Sequence, residues 1–173
     1  DGHSSCWTGV FMENIVGALS EKEAEGQNAW TDHVTAYLSD DPHFPCTIVE
    51  EKYKGSCYFL QTSRMLALFK GHFAKIGEAC NGAPATYQRS CFESMGRDVG
   101  GRFRNSPQEA INACTGAPQG EKRRWCLAGA VQDSFWDPAG ASVATEFCRL
   151  LADTSEKNLC YETIFERAPQ ILA

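Results

Sequence analysis

Eight of the nine cysteines recur with a period of about 34 residues, and this spacing constrains the fold more than any other feature of the chain. They form two interleaved series, one with uniform steps of 34 residues and one with steps of 34, 35 and 34. Self-similarity at a fixed period of this size is typical of repeat proteins. The two series combine into the four pairs Cys46 and Cys57, Cys80 and Cys91, Cys114 and Cys126, and Cys148 and Cys160.

Each repeat is predicted to be a helix, a turn and a longer helix. In residues 106–140, Ser106 suits the N-cap and Pro107 the first position of a short helix that ends at Cys114. The composition of residues 115–120 indicates a turn, and a longer helix follows over 121–136 until Pro138 ends it. The same plan predicts short helices over residues 29–38, 73–80 and 142–151, and longer helices over 49–70, 86–99 and 156–168.

Two of the longer helices are predicted to stop at residues that disfavour a helix. Gly100 and Gly101 close the helix over 86–99, and Pro169 stops the last helix. The glycine-rich segment over 96–101 fits a helix stop or close packing better than a phosphate-binding loop, because it does not link a strand to a helix.

The predicted fold class is all-α, an array of antiparallel helical hairpins resembling an α-solenoid, because strand patterns are weak throughout. A length of 173 residues suits a single domain. Residues 1–27 would form a half repeat plus an acidic loop. Four hairpin repeats would follow, over residues 28–71, 72–105, 106–140 and 141–173.

One disulfide is predicted within each repeat. The first cysteine lies at the end of the short helix and the second near the start of the long one, which are close across a tight turn. The alternative joins a second cysteine to the next repeat, as in Cys57–Cys80. Zinc binding would favour closely spaced pairs such as Cys-x-x-Cys, which the sequence lacks. Stable disulfides predict an extracytoplasmic location: the periplasm, the cell surface or the secreted space.

The ninth cysteine, Cys6, has no partner in this scheme. Trp7 follows it, just as a bulky, largely apolar residue follows the second cysteine of every pair. We call these second cysteines, together with Cys6, the second-type cysteines. We therefore expect Cys6 to be the second cysteine of a unit whose first half precedes Asp1, and to be unpaired or in contact with another chain.

The 34-residue helix–turn–helix period resembles that of tetratricopeptide repeats. One disulfide-stapled helical hairpin per repeat resembles the Sel1-like, cysteine-rich repeat proteins that some bacteria secrete. The resemblance is one of architecture, covers about residues 28–173 and carries over no functional residues. It implies that the array binds a protein or peptide.

Every residue seven positions past a second-type cysteine is charged: Glu13, Arg64, Asp98, Asp133 and Arg167. Equivalent positions stack side by side in a solenoid, so these residues are predicted to form one charged column. Opposite-sign neighbours would be Glu13–Arg64, Arg64–Asp98 and Asp133–Arg167. The column is either a solvated face with ordinary surface ion pairs or a polar stripe that recognises a partner.

The expected function is an extracytoplasmic helical-repeat scaffold that binds a protein or peptide. An accessory subunit of a larger assembly is one form that this function can take. The net charge of −6 argues against general nucleic-acid binding, and no apolar run is long enough to span a membrane. No nucleophile elbow or haem-attachment motif is present, and no catalytic residue, metal site or cofactor is predicted.

The alternative is a secreted or periplasmic enzyme or metal-binding module that uses the charged column. A buried cluster of Glu13, Asp98, Asp133 and a histidine would favour it.

Overall fold

The chain adopts an all-α fold in the computed structural model, which describes residues 2–13, 15, 39–136 and 138–172. No strand occurs within those ranges, and none of the helices in them combines the length and apolarity that crossing a bilayer requires. The predicted helix over 29–38 and the acidic loop before it lie outside the described residues. The helices are α1 (Gly2–Met12), α2 (Glu51–Leu68), α3 (Phe73–Gly82), α4 (Ala85–Arg102), α5 (Pro107–Ala113), α6 (Glu121–Ser134), α7 (Ala141–Leu150) and α8 (Thr154–Leu172).

The alternation of short and long helices from α3 to α8 agrees with the sequence prediction. The short helix α5 is one residue shorter than expected, and Cys114 instead opens a 3₁₀ turn over Cys114–Gly116. Pro107 holds the first helical position as predicted, whereas the side chain of Ser106 makes no capping hydrogen bond. Backbone in the left-handed region at Lys70 and Gly71 ends α2, a common way for a helix to terminate.

The predicted stop at Gly100 and Gly101 is wrong, because α4 continues through both glycines to Arg102. Close packing explains Gly100 instead, because a Cβ atom there would lie 2.6 Å from the carbonyl oxygen of Ala130, and two further glycines make closer contacts. A Cβ atom at Gly96 would lie 2.0 Å from the carbonyl oxygen of Cys126, and one at Gly129 would lie 2.1 Å from that of Glu93. Hydrogen atoms at these positions allow α4 and α6 to approach backbone to backbone.

The last helix also continues past its predicted stop, since α8 includes Pro169 and ends at Leu172. Proline removes one hydrogen bond of the helical ladder and crowds the preceding turn. Less than one turn follows Pro169, so little of the helix depends on the bond that is lost.

The four disulfides are Cys46–Cys57, Cys80–Cys91, Cys114–Cys126 and Cys148–Cys160, which is the pairing within repeats. Their Cα–Cα distances of 5.5 to 5.7 Å are ordinary for a disulfide. All eight cysteines are buried. Each bond joins the segment before a long helix to the second turn of that helix, so it fixes how the hairpin closes.

The long helices pack in chain order, α1 on α2, α2 on α4, α4 on α6 and α6 on α8. Of the aromatic residues that follow second-type cysteines, Tyr58 and Phe92 are fully buried, whereas Trp7 and Tyr161 are half-buried. This agrees with packing of these side chains in the core between hairpins. Ring centroids are 4.3 Å apart for Trp7–Tyr53, 5.4 Å for Tyr58–Tyr87 and 6.4 Å for Phe92–Trp125.

Candidate binding groove

Most residues of the charged column interact with other residues of the same chain. Arg64 is 8% exposed, and its Nη2 atom donates to the carbonyl oxygen of Ser39 at 3.0 Å. The nearest carboxylate oxygen belongs to Asp40, 3.9 Å away. Arg64 therefore holds the segment before α2 and is not paired with Glu13 or Asp98, its expected neighbours.

Asp98 accepts several hydrogen bonds in a polar network between α2 and α4. Its carboxylate accepts from Thr62 Oγ1 at 2.7 Å, from Ser63 Oγ at 3.2 Å and from Arg97 Nη2 at 2.9 Å. Thr62 also shares a hydrogen bond with the buried hydroxyl of Ser94. Because these groups satisfy one another, the network stabilises the contact between the two helices.

The other three members of the column have separate surroundings. Asp133 forms an ion pair with Arg104 at 3.1 Å, Arg167 lies over the ring of Trp136, and Glu13 is exposed. Within the described part of the chain, none of the three expected neighbour ion pairs is formed. The reason is that each member, Glu13 apart, contacts a residue outside the column. Recognition of a partner by the column stays a prediction.

No cluster of the kind that would favour an enzyme or a metal centre is found among the described residues. No group of three His, Cys, Asp or Glu side chains in these ranges is arranged to hold a metal ion. His43 is half-buried beside Tyr58, with ring centroids 6.0 Å apart.

Cys6 lies in α1, is exposed and forms no disulfide.

A groove of about 550 Å³ crosses the long helices α4, α6 and α8. Its lining follows a register of positions two before and two after the second-type cysteine in each helix, and also six after it in α6 and α8. Residues four apart differ by only about 40° around a helix, so these positions share one face. The lining residues in this register are Arg89, Glu93, Arg124, Ala128, Gln132, Asn158, Glu162 and Glu166.

Four glutamates and two arginines line the groove, which gives the lining a net charge of −2. One glutamate is neutralised, because Arg89 Nε lies 2.8 Å from Glu93 Oε1. That hydrogen bond is the main cause that raises the pKa of Arg89, and the charges of Glu121 and Glu166 raise it further. Arg124 donates to Ser155 Oγ at 2.8 Å and so links α6 to α8.

Three carboxylates of the groove are left without an ion pair among the described residues: Glu121, Glu162 and Glu166. All three side chains are exposed. Glu162 and Glu166 are four residues apart on α8, an arrangement in which like charges repel on a helix. The groove therefore presents negative charge that other side chains of the described chain do not neutralise.

The apolar part of the groove is supplied by Trp125 and Leu159, both half-buried. Trp125 packs against the buried ring of Phe92, so its indole is held in position by the contact between α4 and α6. A half-buried aromatic side chain that lines a charged groove suits an apolar side chain or a cation as its partner.

The same helix face continues toward the N-terminus. A second cavity of about 460 Å³ is lined by Thr8 of α1, by Gly55 and Phe59 of α2, and by Ser90 of α4. Thr8 and Phe59 are two residues past Cys6 and Cys57, the register that Glu93 and Glu162 occupy in the first groove. Successive long helices thus present equivalent positions on one side of the molecule.

Comparisons with protein-family models, curated proteins and solved structures give no match to this chain.

Proposed function

We propose that this chain is an extracytoplasmic helical-repeat scaffold that binds a basic peptide segment of a protein partner in the groove between α4, α6 and α8. The observation that carries the proposal is the set of three exposed carboxylates, Glu121, Glu162 and Glu166, without ion pairs beside the half-buried Trp125. Four buried disulfides suit a protein that works in an oxidising compartment.

The repeat architecture supports the choice of a peptide as ligand. Long helices stacked in chain order place equivalent residues next to one another, which makes an extended surface and not a closed pocket. An extended segment can follow such a surface across several helices. A scaffold of this kind serves as an accessory subunit when the bound segment belongs to a larger assembly.

Magnitudes indicate which contacts supply affinity and which supply selectivity. An exposed ion pair contributes only about 0.2–1 kcal/mol, so three such pairs give modest affinity. A tryptophan that anchors an interface often contributes 2 kcal/mol or more. We therefore expect Trp125 to carry much of the binding energy and the carboxylates to select lysine or arginine over acidic residues.

The test uses a blocked peptide of alternating lysine and leucine, titrated into the protein by calorimetry at moderate salt. A peptide in which glutamate replaces lysine is the ligand control. The protein variant E162K/E166K reverses two charges of the groove. The matched control E78K/E109K makes the same change in net charge at exposed glutamates of α3 and α5, outside the groove.

We expect the lysine peptide to bind and the glutamate peptide not to bind. The groove variant should weaken binding at least about tenfold, whereas the control variant should stay within about threefold of the parent, because only general charge attraction changes. The proposal is overturned if the lysine peptide does not bind, or if both variants lose affinity equally.

A further inference from the structure

The last long helix exposes a face that every earlier long helix buries. Five residues past each second-type cysteine, Phe11, Thr62, Gly96 and Val131 are all buried. The equivalent residue of α8, Phe165, is 74% exposed.

This position faces the next long helix in the chain. Gly96 of α4 lies against the backbone of Cys126 and Ala130 in α6, and Thr62 of α2 contacts Ser94 of α4. Phe165 therefore points to where a further long helix would pack on α8. Because the equivalent residues of the earlier long helices are buried, the exposed Phe165 is available for a contact with another helix.

The first helix has the complementary surface. In α6, Gly129 receives the preceding helix, since a Cβ there would lie 2.1 Å from the backbone oxygen of Glu93. Gly9 of α1 is the equivalent residue, since it also lies three residues past its cysteine. A Cβ atom at Gly9 would meet nothing within 4 Å. The next residue, Val10, is 52% exposed, whereas its equivalents Met95 and Ala130 are fully buried.

We propose that the chain associates tail to head with a second copy of itself, the Phe165 face of α8 packing on the Gly9–Val10 face of α1. The choice of a second copy as the partner follows from the packing between hairpins. A face of the Phe165 type packs on a face of the Gly129 type between α2 and α4 and between α4 and α6, and α1 carries an exposed face of the second type.

Two features define how this association behaves. The two surfaces differ, so the contact is heterologous and each bound copy leaves another pair of faces open. One helix face is smaller than a standard protein interface, so we expect weak association that appears only at high protein concentration. A net charge of −6 on each copy opposes the contact, and physiological salt screens this repulsion.

The experiment is sedimentation equilibrium of the full chain over a range of concentrations, in a Cys6→Ser background that prevents an intermolecular disulfide. The tail variant is F165D, and the head variant is V10D. The control is I48D, because Ile48 is exposed in the turn before α2 and lies on neither face. Far-ultraviolet circular dichroism and the melting temperature confirm that each variant is folded.

For the parent and for I48D, we expect the average mass to rise with concentration beyond that of a dimer. F165D and V10D alone should associate at least about tenfold more weakly. Mixed in equal amounts, they should form a one-to-one dimer and nothing larger, since the mixture holds one intact tail and one intact head for each pair.

Three results would overturn the inference. The first is that the parent stays monomeric at protein concentrations up to about 1 mM, which corresponds to the dissociation constant of a very weak complex. V10D associates as the parent does while F165D does not, which indicates a symmetric tail-to-tail contact. I48D loses association as fully as the other variants, which indicates non-specific adhesion of exposed apolar residues.

Discussion

At the scale of single residues, Gly96 and Gly129 allow α4 and α6 to approach closely. Each faces a carbonyl oxygen of the opposite helix at a distance that no Cβ atom could occupy. From the sequence alone, the glycines near residue 100 favour a helix stop, because glycine has poor helix propensity. The contact that requires them joins residues about 30 positions apart, so local sequence cannot reveal it.

Replacement of Gly96 by alanine should lower the free energy of unfolding by at least about 2 kcal/mol, because the two helices must separate to admit the methyl group. Gly55→Ala is the matched control in the interior of α2, where a Cβ meets nothing within 4 Å. It should raise stability by up to about 1 kcal/mol through better helix propensity. Urea denaturation measures both changes, and equal effects would contradict the close approach.

The two aspartates of the charged column should differ in their contribution to stability. Asp98 accepts hydrogen bonds from three side chains between α2 and α4, whereas Asp133 pairs with the exposed Arg104. We expect Asp98→Asn to cost about 2 kcal/mol, because charge-assisted bonds in a buried network are lost. Asp133→Asn should cost less than about 1 kcal/mol.

Guanidinium denaturation of the two variants tests this difference under identical conditions. Equal losses, or a larger loss for Asp133→Asn, would show that the network around Asp98 does not hold α2 to α4.

At the scale of elements, the sequence was sufficient to predict the hairpins and the side chains between them. Cysteine spacing, Pro107 and the turn composition are local features, and they placed the short and long helices of the described hairpins within a few residues. The face that forms the groove could not be predicted. Positions six and seven past a cysteine differ by about 100° around a helix, and only the packing decides which faces solvent.

The charged column illustrates this limit. Uniform charge seven residues past the cysteine predicted either a solvated face or a binding stripe at that position, yet Arg64 and Asp98 lie largely buried between elements. The groove is instead lined by residues one position earlier, six past the cysteine, namely Gln132 and Glu166. The acidic pair Glu162 and Glu166 was the sequence feature that could have indicated it.

Removal of one disulfide should show how much the closure of a hairpin contributes. Cys80→Ala with Cys91→Ala opens a loop with a sequence separation of 11 residues. The free energy of unfolding should fall by about 3 kcal/mol, because the unfolded chain gains conformational freedom. Cys6→Ala is the control, since that exposed thiol closes no loop. A loss below about 1 kcal/mol in the double variant would contradict a structural role for the bond.

At the scale of the whole molecule, the account depends on one arrangement, in which each hairpin is closed by its own disulfide and the long helices pack in chain order. The groove follows from this arrangement, because equivalent positions of α4, α6 and α8 then lie side by side. The exposed faces of α1 and α8 follow as well, because the described packing begins at one and ends at the other.

The most direct test of that arrangement is a disulfide map of the unreduced protein by mass spectrometry, with free thiols alkylated at low pH. Trypsin must be combined with a glutamate-specific protease, because no lysine or arginine lies between Cys126 and Cys148, whereas Glu146 does. We predict links only within hairpins, with Cys6 as the one alkylated cysteine. A link between hairpins, such as Cys57–Cys80, would contradict the account.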